Sequence, residues 1–207
     1  MEQRRNKNEP QDGGEHMETF IKSLVSRVKE GDHEAFEGLV ELFKDKIYRL
    51  CYRMVGNRHE AEDLAQETFV RAYTKINQYN GEYKFSTWLY RIATNLCIDR
   101  LRKKKPDFSL DAEVPGADGA TLYSQVATAE PLPEEAVVEK EKHDQLQQEI
   151  IKLPEKYRTA ILLKYVEDLS LEEIGKIMDL PVPTVKTRIH RGREALKKVF
   201  RMVTKSR

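Results

Sequence analysis

The chain has 207 residues, of which 34% are charged and 39% hydrophobic, a composition typical of a soluble protein with one or two domains. No apolar run approaches the roughly 20 residues that a membrane span requires, and no secretory signal opens the chain. We therefore expect a cytoplasmic protein that does not insert directly into a membrane.

The net charge of +1 conceals a strong segregation of charge along the chain. Residues 100–105 include five Lys or Arg. Residues 107–144 contain ten acids and two lysines, whereas residues 183–207 contain nine Lys or Arg and one Glu. A charged partner would therefore meet two basic surfaces separated by an acidic segment.

The cysteines and histidines predict no metal site and no cofactor. Cys51 and Cys97 each lie in an apolar helical pattern, which favours buried thiols over a disulfide or metal ligands. The five histidines show no metal-ligand spacing.

The N-terminal part begins with a polar, turn-rich stretch over residues 1–16, which predicts a disordered extension. Apolar residues from Ile21 to Val28 predict a first helix that ends near Gly31. Asp32 is positioned to cap a second helix, which runs to Gly56.

A third helix starts at Asn57, which forms a capping-box-like pair with Glu60. Periodicity lapses over residues 77–85, and Ser86 or Thr87 is positioned to cap a fourth helix that runs from Trp88 to about Lys103. No segment shows the period-two pattern of a strand. Residues 17–105 therefore predict an all-α domain.

Four prolines and two glycines lie between Pro106 and Pro133, which predicts a flexible acidic linker over residues 106–133. Helical periodicity resumes at Glu134, and Pro154 begins a further helix. Residues 134–207 thus predict a second, compact domain of four helices, so that the chain as a whole is all-α with two small helical domains.

The clearest motif lies in residues 170–196, which predict two short helices joined by a tight turn. Ser170 and Glu173 form a capping box at the start of the first helix. Pro181 and Pro183 end that helix, and Pro183 suits the first turn of the next. The second helix is amphipathic with a cationic outer face, which is typical of a helix-turn-helix that places one helix in the major groove of DNA.

A second polar surface is predicted on the fourth helix, where Arg91, Asn95, Asp99 and Arg102 recur on one face. Aromatic residues cluster just before and at the start of this helix: Tyr79, Tyr83, Phe85, Trp88 and Tyr90. Aromatic rings beside cations are suited to stacking unpaired bases. Core packing is the alternative for Phe85 and Trp88, and a satisfied mid-helix amide is the alternative for Asn95.

Five motifs together resemble the extracytoplasmic-function (ECF) sigma factors of bacterial RNA polymerase, over about Ile21 to Val203. They are DLAQETFVRAY, KFSTWLYRIATNLCIDRLRKKKPD, LDAEVPGADG, LPEKYRTAILLKY and PVPTVKTRIHRGREAL. The resemblance implies that the first domain is sigma region 2 and the second is sigma region 4. One departure is Pro183, which stands where the family usually has Gly.

The resemblance also implies roles for individual positions. Contacts with the upstream (−35) promoter element fall to Thr184, Lys186, Thr187, Arg188, His190, Arg191 and Arg193, with Arg188 and Arg193 expected on phosphates. Recognition and melting of the downstream (−10) element fall to Tyr79, Tyr83, Phe85, Trp88, Arg91, Asn95, Asp99 and Arg102. Docking on the core enzyme falls to Asp63, Gln66, Glu67 and Arg71.

The partners that the resemblance implies are promoter DNA, the clamp and flap regions of core RNA polymerase, and a membrane-anchored anti-sigma factor. The protein is expected to be a monomer when free of them, and its target genes are expected to serve the response to cell-envelope stress. The linker is expected to follow the RNA exit path.

Two other classes of protein share some of these sequence features. A helix-turn-helix repressor or activator that acts without core polymerase would need a ligand pocket, a dimer helix or a receiver domain, and the first half of the chain shows none. An enzyme acting on DNA would need a carboxylate cluster, but Glu60, Glu62, Asp63 and Glu67 project around several faces of one helix. We therefore expect no catalytic activity in the chain itself.

Overall fold

The computed structural model describes residues 12–104 and 146–205, and within these ranges all regular structure is helical. The elements are α1 (Asp12–Lys29), α2 (His33–Val55), α3 (Arg58–Thr74), a 3-10 turn (Ile76–Gln78), α4 (Phe85–Lys104), α5 (146–152), α6 (Glu155–Tyr165), α7 (Leu171–Met178) and α8 (Val182–Lys205). The all-α prediction is confirmed. The predicted linker over residues 106–133 and the predicted helical start at Glu134 lie outside the described residues.

Helix α1 begins earlier than expected. It starts at Asp12, so residues 12–16 are helical where a disordered extension to residue 16 was predicted. The side-chain hydroxyl of Thr19 donates to the carbonyl of Glu15 at 2.9 Å, which anchors this first part of the helix. Acidic residues in an opening turn also interact favourably with the helix dipole, and Glu15 supplies one.

The predicted starts of α2 and α3 are confirmed by their caps. Oδ1 of Asp32 accepts a hydrogen bond from the backbone N–H of Ala35 at 3.1 Å, and Oδ1 of Asn57 accepts one from Glu60 at 3.1 Å. Between these helices Gly56 adopts φ = +74°, a left-handed conformation that favours glycine. The chain therefore turns sharply where α2 ends.

Helix α4 begins at Phe85, three residues before the predicted start at Trp88. Thr87 is consequently not the cap, because it lies inside the helix with its hydroxyl buried and no partner for it among the described residues. Phe85 packs against Phe43, with ring centroids 5.7 Å apart. This core contact fixes the first turn of α4 earlier than capping residues alone would indicate.

The N-terminal domain, α1 to α4, is built around α2, whose Leu39, Ile47, Leu50 and Met54 are almost fully buried. The predicted buried thiols are confirmed, since Cys51 on α2 and Cys97 on α4 are both free and fully buried. Within the part of the chain that the structure describes, no helix is both long and apolar enough to cross a bilayer.

The C-terminal domain, α5 to α8, confirms the helix-turn-helix. The capping box is present: the Ser170 hydroxyl accepts from the Glu173 N–H at 3.1 Å, and a Glu173 carboxylate oxygen accepts from the Ser170 N–H at 2.9 Å. Gly192 allows α8 to lie directly on α6, because a Cβ at this position would stand 2.7 Å from Cγ1 of Ile161.

The two domains touch at the C-terminal end of α2. The buried guanidinium of Arg158 on α6 donates to the carbonyls of Met54, Ile151 and Leu153. The amide of Gln147 also donates to the carbonyl of Arg53, at 3.3 Å. Burial lowers the pKa of Arg158 below its ordinary value, although these carbonyls accept hydrogen bonds from the charged group.

Candidate nucleic-acid interface

The outer face of α8 carries the residues predicted to contact duplex DNA. Val185 and Ile189 are buried against the domain, which turns the intervening polar residues outward. Five of the predicted residues are exposed: Lys186, Thr187, His190, Arg191 and Arg193. The other two, Thr184 and Arg188, are partly exposed. All seven side chains are therefore at least partly accessible to solvent on the surface of α8.

Two of these side chains also make contacts within the domain. Nη1 of Arg191 lies 3.4 Å from the hydroxyl of Tyr157 on α6, and this hydrogen bond, with nearby cations, lowers the pKa of Tyr157. The hydroxyl of Thr187 donates to the carbonyl of Pro183 at 3.0 Å. Arg191 is thus held beside α6 before any DNA is present.

The polar face of α4 is also arranged as the periodicity predicted. Arg91, Asn95, Asp99 and Arg102 are all exposed, while Leu89, Ala93 and Leu96 on the opposite side of the helix are buried. Within the described residues the amide of Asn95 has no hydrogen-bond partner. The structure therefore does not support the alternative that the Asn95 amide is already hydrogen-bonded within the described part of the protein.

The aromatic cluster divides into a buried part and an accessible part. Phe85 is only 2% exposed and packs against Tyr79, with ring centroids 5.5 Å apart, so its predicted contact with DNA is corrected to a supporting role in the core. Tyr79 is 5% exposed, and its hydroxyl donates to the carbonyl of Tyr83 at 2.5 Å. Tyr83 and Trp88 remain partly exposed.

A small cavity of about 40 Å³ lies beside these rings, and we refer to it as the aromatic pocket. It is lined by Gln78, Tyr79, Asn80, Tyr83, Thr87, Trp88, Arg91 and Lys176. Four of these residues, Gln78, Asn80, Thr87 and Lys176, were not singled out from the sequence, although Gln78 and Asn80 belong to the loop over residues 77–85 that the resemblance assigns to capture of a flipped base. The first three could have been found from their position in or beside the aromatic loop, but Lys176 comes from α7 and only tertiary structure places it here.

The residues predicted to dock on core polymerase lie along α3. Asp63, Gln66 and Arg71 are exposed and Glu67 is partly exposed, with Nε of Arg71 2.7 Å from Oε1 of Glu67. Three of them line a groove of about 360 Å³ between α3 and α4 with Asp99, Lys103 and other residues, whereas Gln66 does not line it. The side chains of Val70 and Tyr73 on the same helix are exposed large hydrophobics that the sequence reasoning did not single out.

The described residues contain no group of three or more His, Cys, Asp or Glu placed to hold a metal ion.

This pairing of an outward basic helix-turn-helix with a polar, aromatic helical surface defines a sigma factor of the sigma-70 type. Residues 39–106 match the family Sigma-70 region 2, and residues 143–196 match the family Sigma-70, region 4. The chain belongs to the ECF RNA polymerase sigma factors, as the resemblance predicted. It is 62% identical to the ECF RNA polymerase sigma factor SigW of Bacillus subtilis, over 89% of this chain and 99% of that protein.

More distant relatives extend the same similarity. The chain is 39% identical to the RNA polymerase sigma-H factor of Pseudomonas aeruginosa, over 86% of this chain and 92% of that protein. Two solved structures share the fold. CnrH in complex with the cytosolic domain of CnrY has a TM-score of 0.65 at 19% identity, covering 88% of this chain and 98% of CnrH. The sigma factor RpoE of Bartonella quintana, in complex with the anti-sigma factor NepR, has a TM-score of 0.57 at 20% identity, covering 80% and 96%.

Proposed function

We propose that the protein joins core RNA polymerase and directs initiation at promoters that it recognises through two separate DNA surfaces. The observation that carries this proposal is the presence of two outward polar surfaces on two packed domains, within a chain that belongs to the ECF sigma factors. RNA synthesis itself belongs to the core enzyme, and the role of this chain is that of a transcription regulator.

The outer face of α8 is proposed to read the upstream element in the major groove. Lys186, Thr187, His190 and Arg191 are assigned to base edges, whereas Thr184, Arg188 and Arg193 flank them and are assigned to phosphates. Arginine and lysine form bidentate or paired contacts with guanine edges, and phosphate contacts add affinity without sequence preference.

The polar face of α4 and the aromatic pocket are proposed to open the downstream element and hold its non-template strand. Asn95 and Asp99 offer hydrogen-bonding groups to unpaired bases, and Arg91 and Arg102 offer charge to the backbone. The partly exposed rings of Tyr83 and Trp88 supply stacking surfaces, which stabilise single strands by roughly 1–3 kcal/mol per base.

The exposed side of α3 is proposed to dock on the clamp of the polymerase through Asp63, Gln66, Glu67 and Arg71, while the C-terminal domain meets the flap. The exposed side chains of Val70 and Tyr73 add apolar area next to these charges, and large side chains of this kind commonly anchor interfaces.

Regulation by an anti-sigma factor anchored in the membrane is proposed by analogy with the relatives, one of which was solved bound to the anti-sigma factor NepR. On this proposal the protein works in the cytoplasm at the nucleoid, is monomeric when unbound, and serves genes of the cell-envelope stress response. The similarity to a SigW protein supports the assignment of the chain to the ECF sigma factors.

Run-off transcription with bacterial core polymerase on a panel of promoters tests the proposal. Transcripts that depend on the added protein are expected, and Arg71→Ala should reduce both transcription and retention of the protein on immobilised core enzyme. Lys46→Ala, an exposed residue on α2, serves as the matched control. A protein that bound promoter DNA yet produced no transcript from any template would instead be a repressor or activator that acts without joining the core.

A further inference from the structure

Lys29, in the last turn of α1, contacts the loop over residues 77–85. Its ammonium donates to the backbone carbonyl of Tyr79 at 2.5 Å and lies 5.7 Å from the centroid of the Tyr79 ring. No role at DNA or at core polymerase is assigned to Lys29. The two residues are 50 positions apart in the sequence, so no local pattern indicates their contact.

Tyr79 is the residue through which this loop is attached to the core. Its side chain is almost fully buried, and the centroid of its ring lies 5.5 Å from that of Phe85 and 5.4 Å from that of Trp88. Phe85 belongs to the core, whereas Trp88 is one of the two rings proposed to stack on unpaired bases. Tyr79 therefore connects the core to the accessible part of the aromatic cluster.

The hydroxyl of Tyr79 closes the loop on itself by donating to the carbonyl of Tyr83 at 2.5 Å. Burial raises the pKa of this hydroxyl, so it keeps the proton that it donates. At the tip of the loop, Oδ1 of Asn80 accepts a hydrogen bond from the N–H of Glu82 at 3.1 Å, a local turn contact typical of asparagine. The backbone of Tyr83 therefore follows the position of Tyr79.

We propose that Lys29 is a positioning residue for capture of the downstream strand. By holding the Tyr79 carbonyl, and with it the ring, Lys29 keeps the backbone of Tyr83 and the ring of Trp88 in place before DNA binds. The inference rests on the proposed function, because it concerns the loop assigned to the unpaired bases. A surface that is ordered beforehand loses less binding free energy to ordering when the strand arrives.

A role confined to the stability of α1 is the alternative, because a cation in the last turn of a helix interacts favourably with the helix dipole. That interaction needs no contact with Tyr79. In the structure, however, the ammonium donates to the partly buried Tyr79 carbonyl, and a hydrogen bond from a charged donor is among the stronger ones in proteins. The two roles differ in their consequence, since only the proposed role changes the order of the loop in the folded protein.

Lys29→Met tests the inference in the full chain, because methionine keeps much of the apolar stem of the side chain and donates no hydrogen bond. The matched control is Lys22→Met, at another exposed position of α1. Lys29→Arg is the conservative variant, since arginine retains both the charge and the donor.

Quenching of Trp88 fluorescence by acrylamide measures the order of the loop without DNA, since Trp88 is the single tryptophan of the chain and packs on Tyr79. The quenching constant should rise in Lys29→Met and match that of the parent protein in Lys22→Met and Lys29→Arg. An unchanged quenching constant in Lys29→Met, with a lowered urea midpoint, would show that Lys29 only stabilises α1 and would overturn the inference.

Promoter opening by the holoenzyme reconstituted with core polymerase is the functional measurement. The template is the promoter with the strongest run-off transcript, with 2-aminopurine placed singly along its downstream non-template strand to report unstacking. Lys29→Met should slow opening about fivefold, as expected for loss of one hydrogen bond, while the affinity of the closed complex is kept. Lys29→Arg should regain most of the opening rate. Opening at the parent rate in Lys29→Met, or equal slowing in Lys22→Met, would overturn the inference.

Tyr79→Phe provides an independent route, because it removes the hydrogen bond to Tyr83 and leaves the ring in place. It should also raise the quenching constant and slow opening. If both residues act through the order of one loop, the slowing in the double variant Lys29→Met with Tyr79→Phe should be smaller than the product of the single effects. Effects that simply multiply would show independent actions and overturn the inference. Failure of the proposed function is distinguishable, because the parent protein would then give no transcript.

Discussion

Replacement of Arg158 by Met should destabilise the N-terminal domain, although Arg158 belongs to the C-terminal domain. The guanidinium donates to the carbonyl of Met54, one residue before the end of α2, and to the carbonyls of Ile151 and Leu153. Methionine approximates the length of the side chain but donates no hydrogen bond. All three carbonyls would lose a charged donor in a buried setting.

The magnitude follows from two opposing effects. A hydrogen bond from a charged donor contributes about 1.5–3 kcal/mol, so three such bonds are worth about 4.5–9 kcal/mol. Replacing the ion recovers a desolvation cost of several kcal/mol. We therefore expect the free energy of unfolding of the packed protein to fall by about 2–4 kcal/mol, and only the share that comes from the bond to Met54 acts on the N-terminal domain.

Urea titration followed by the fluorescence of Trp88, the single tryptophan of the chain, reports unfolding of the N-terminal domain together with loss of its contact with α7. The midpoint should fall in Arg158→Met at an unchanged m-value, while Lys156→Met, at an exposed position on the same helix, should leave it in place. An unchanged Trp88 midpoint in Arg158→Met would refute the reasoning, since it would mean that the contact with Met54 does not stabilise α2.

Three further substitutions address the DNA surfaces and the first cap. Arg191→Ala should cost about 1–3 kcal/mol at one base position of the upstream element, measured by binding to a set of promoter variants; a uniform loss across the set would make it a phosphate contact. Asn95→Ala should weaken promoter opening while closed-complex binding is largely kept, and permanganate footprints identical to those of the parent protein would contradict this. The third substitution is Asp32→Asn. In the parent protein, the hydrogen bond from the Ala35 N–H and the contact with Arg27 lower the pKa of the Asp32 carboxyl. Above pH 3.8, the ordinary pKa of this carboxyl, the parent protein should therefore be more stable than the variant. This difference should vanish as the pH falls through the lowered pKa of Asp32 in the folded protein. Urea titrations in which the two proteins differ equally at pH 2 and pH 7 would contradict the assignment.

Much of the fold could be predicted because its signals are local. Asp32, Asn57 and Ser170 each cap the helix that the sequence placed after them, and the buried residues of α4 recur at the expected spacing. The exposure of Asn95 also followed from periodicity alone. In each case a few neighbouring residues determine the outcome.

The sequence predictions were incomplete where packing between residues that are far apart in the chain determines the structure. Phe85 belongs to the core because Phe43 of α2 lies against it, and no pattern within the aromatic loop distinguishes that ring from Trp88. Lys176 reaches the aromatic pocket only because α7 packs on α4, across a long stretch of chain. Sequence periodicity indicates which face of a helix is buried, but not which helix covers it.

The contact between Gly192 and Ile161 lies on the inner side of α8, away from the polar side chains on its outer face. Since the backbone of α8 rests directly on α6 at Gly192, this contact does not involve the polar side chains that are proposed to face DNA. Lys186 and His190 are exposed, so exchanges at these positions are expected to leave the packing of α8 on α6 unchanged. Related sigma factors could consequently differ in promoter preference while the packing of α8 on α6 stays the same. Transfer of the outward-facing residues of α8 from one factor to another should transfer promoter preference without changes in the core.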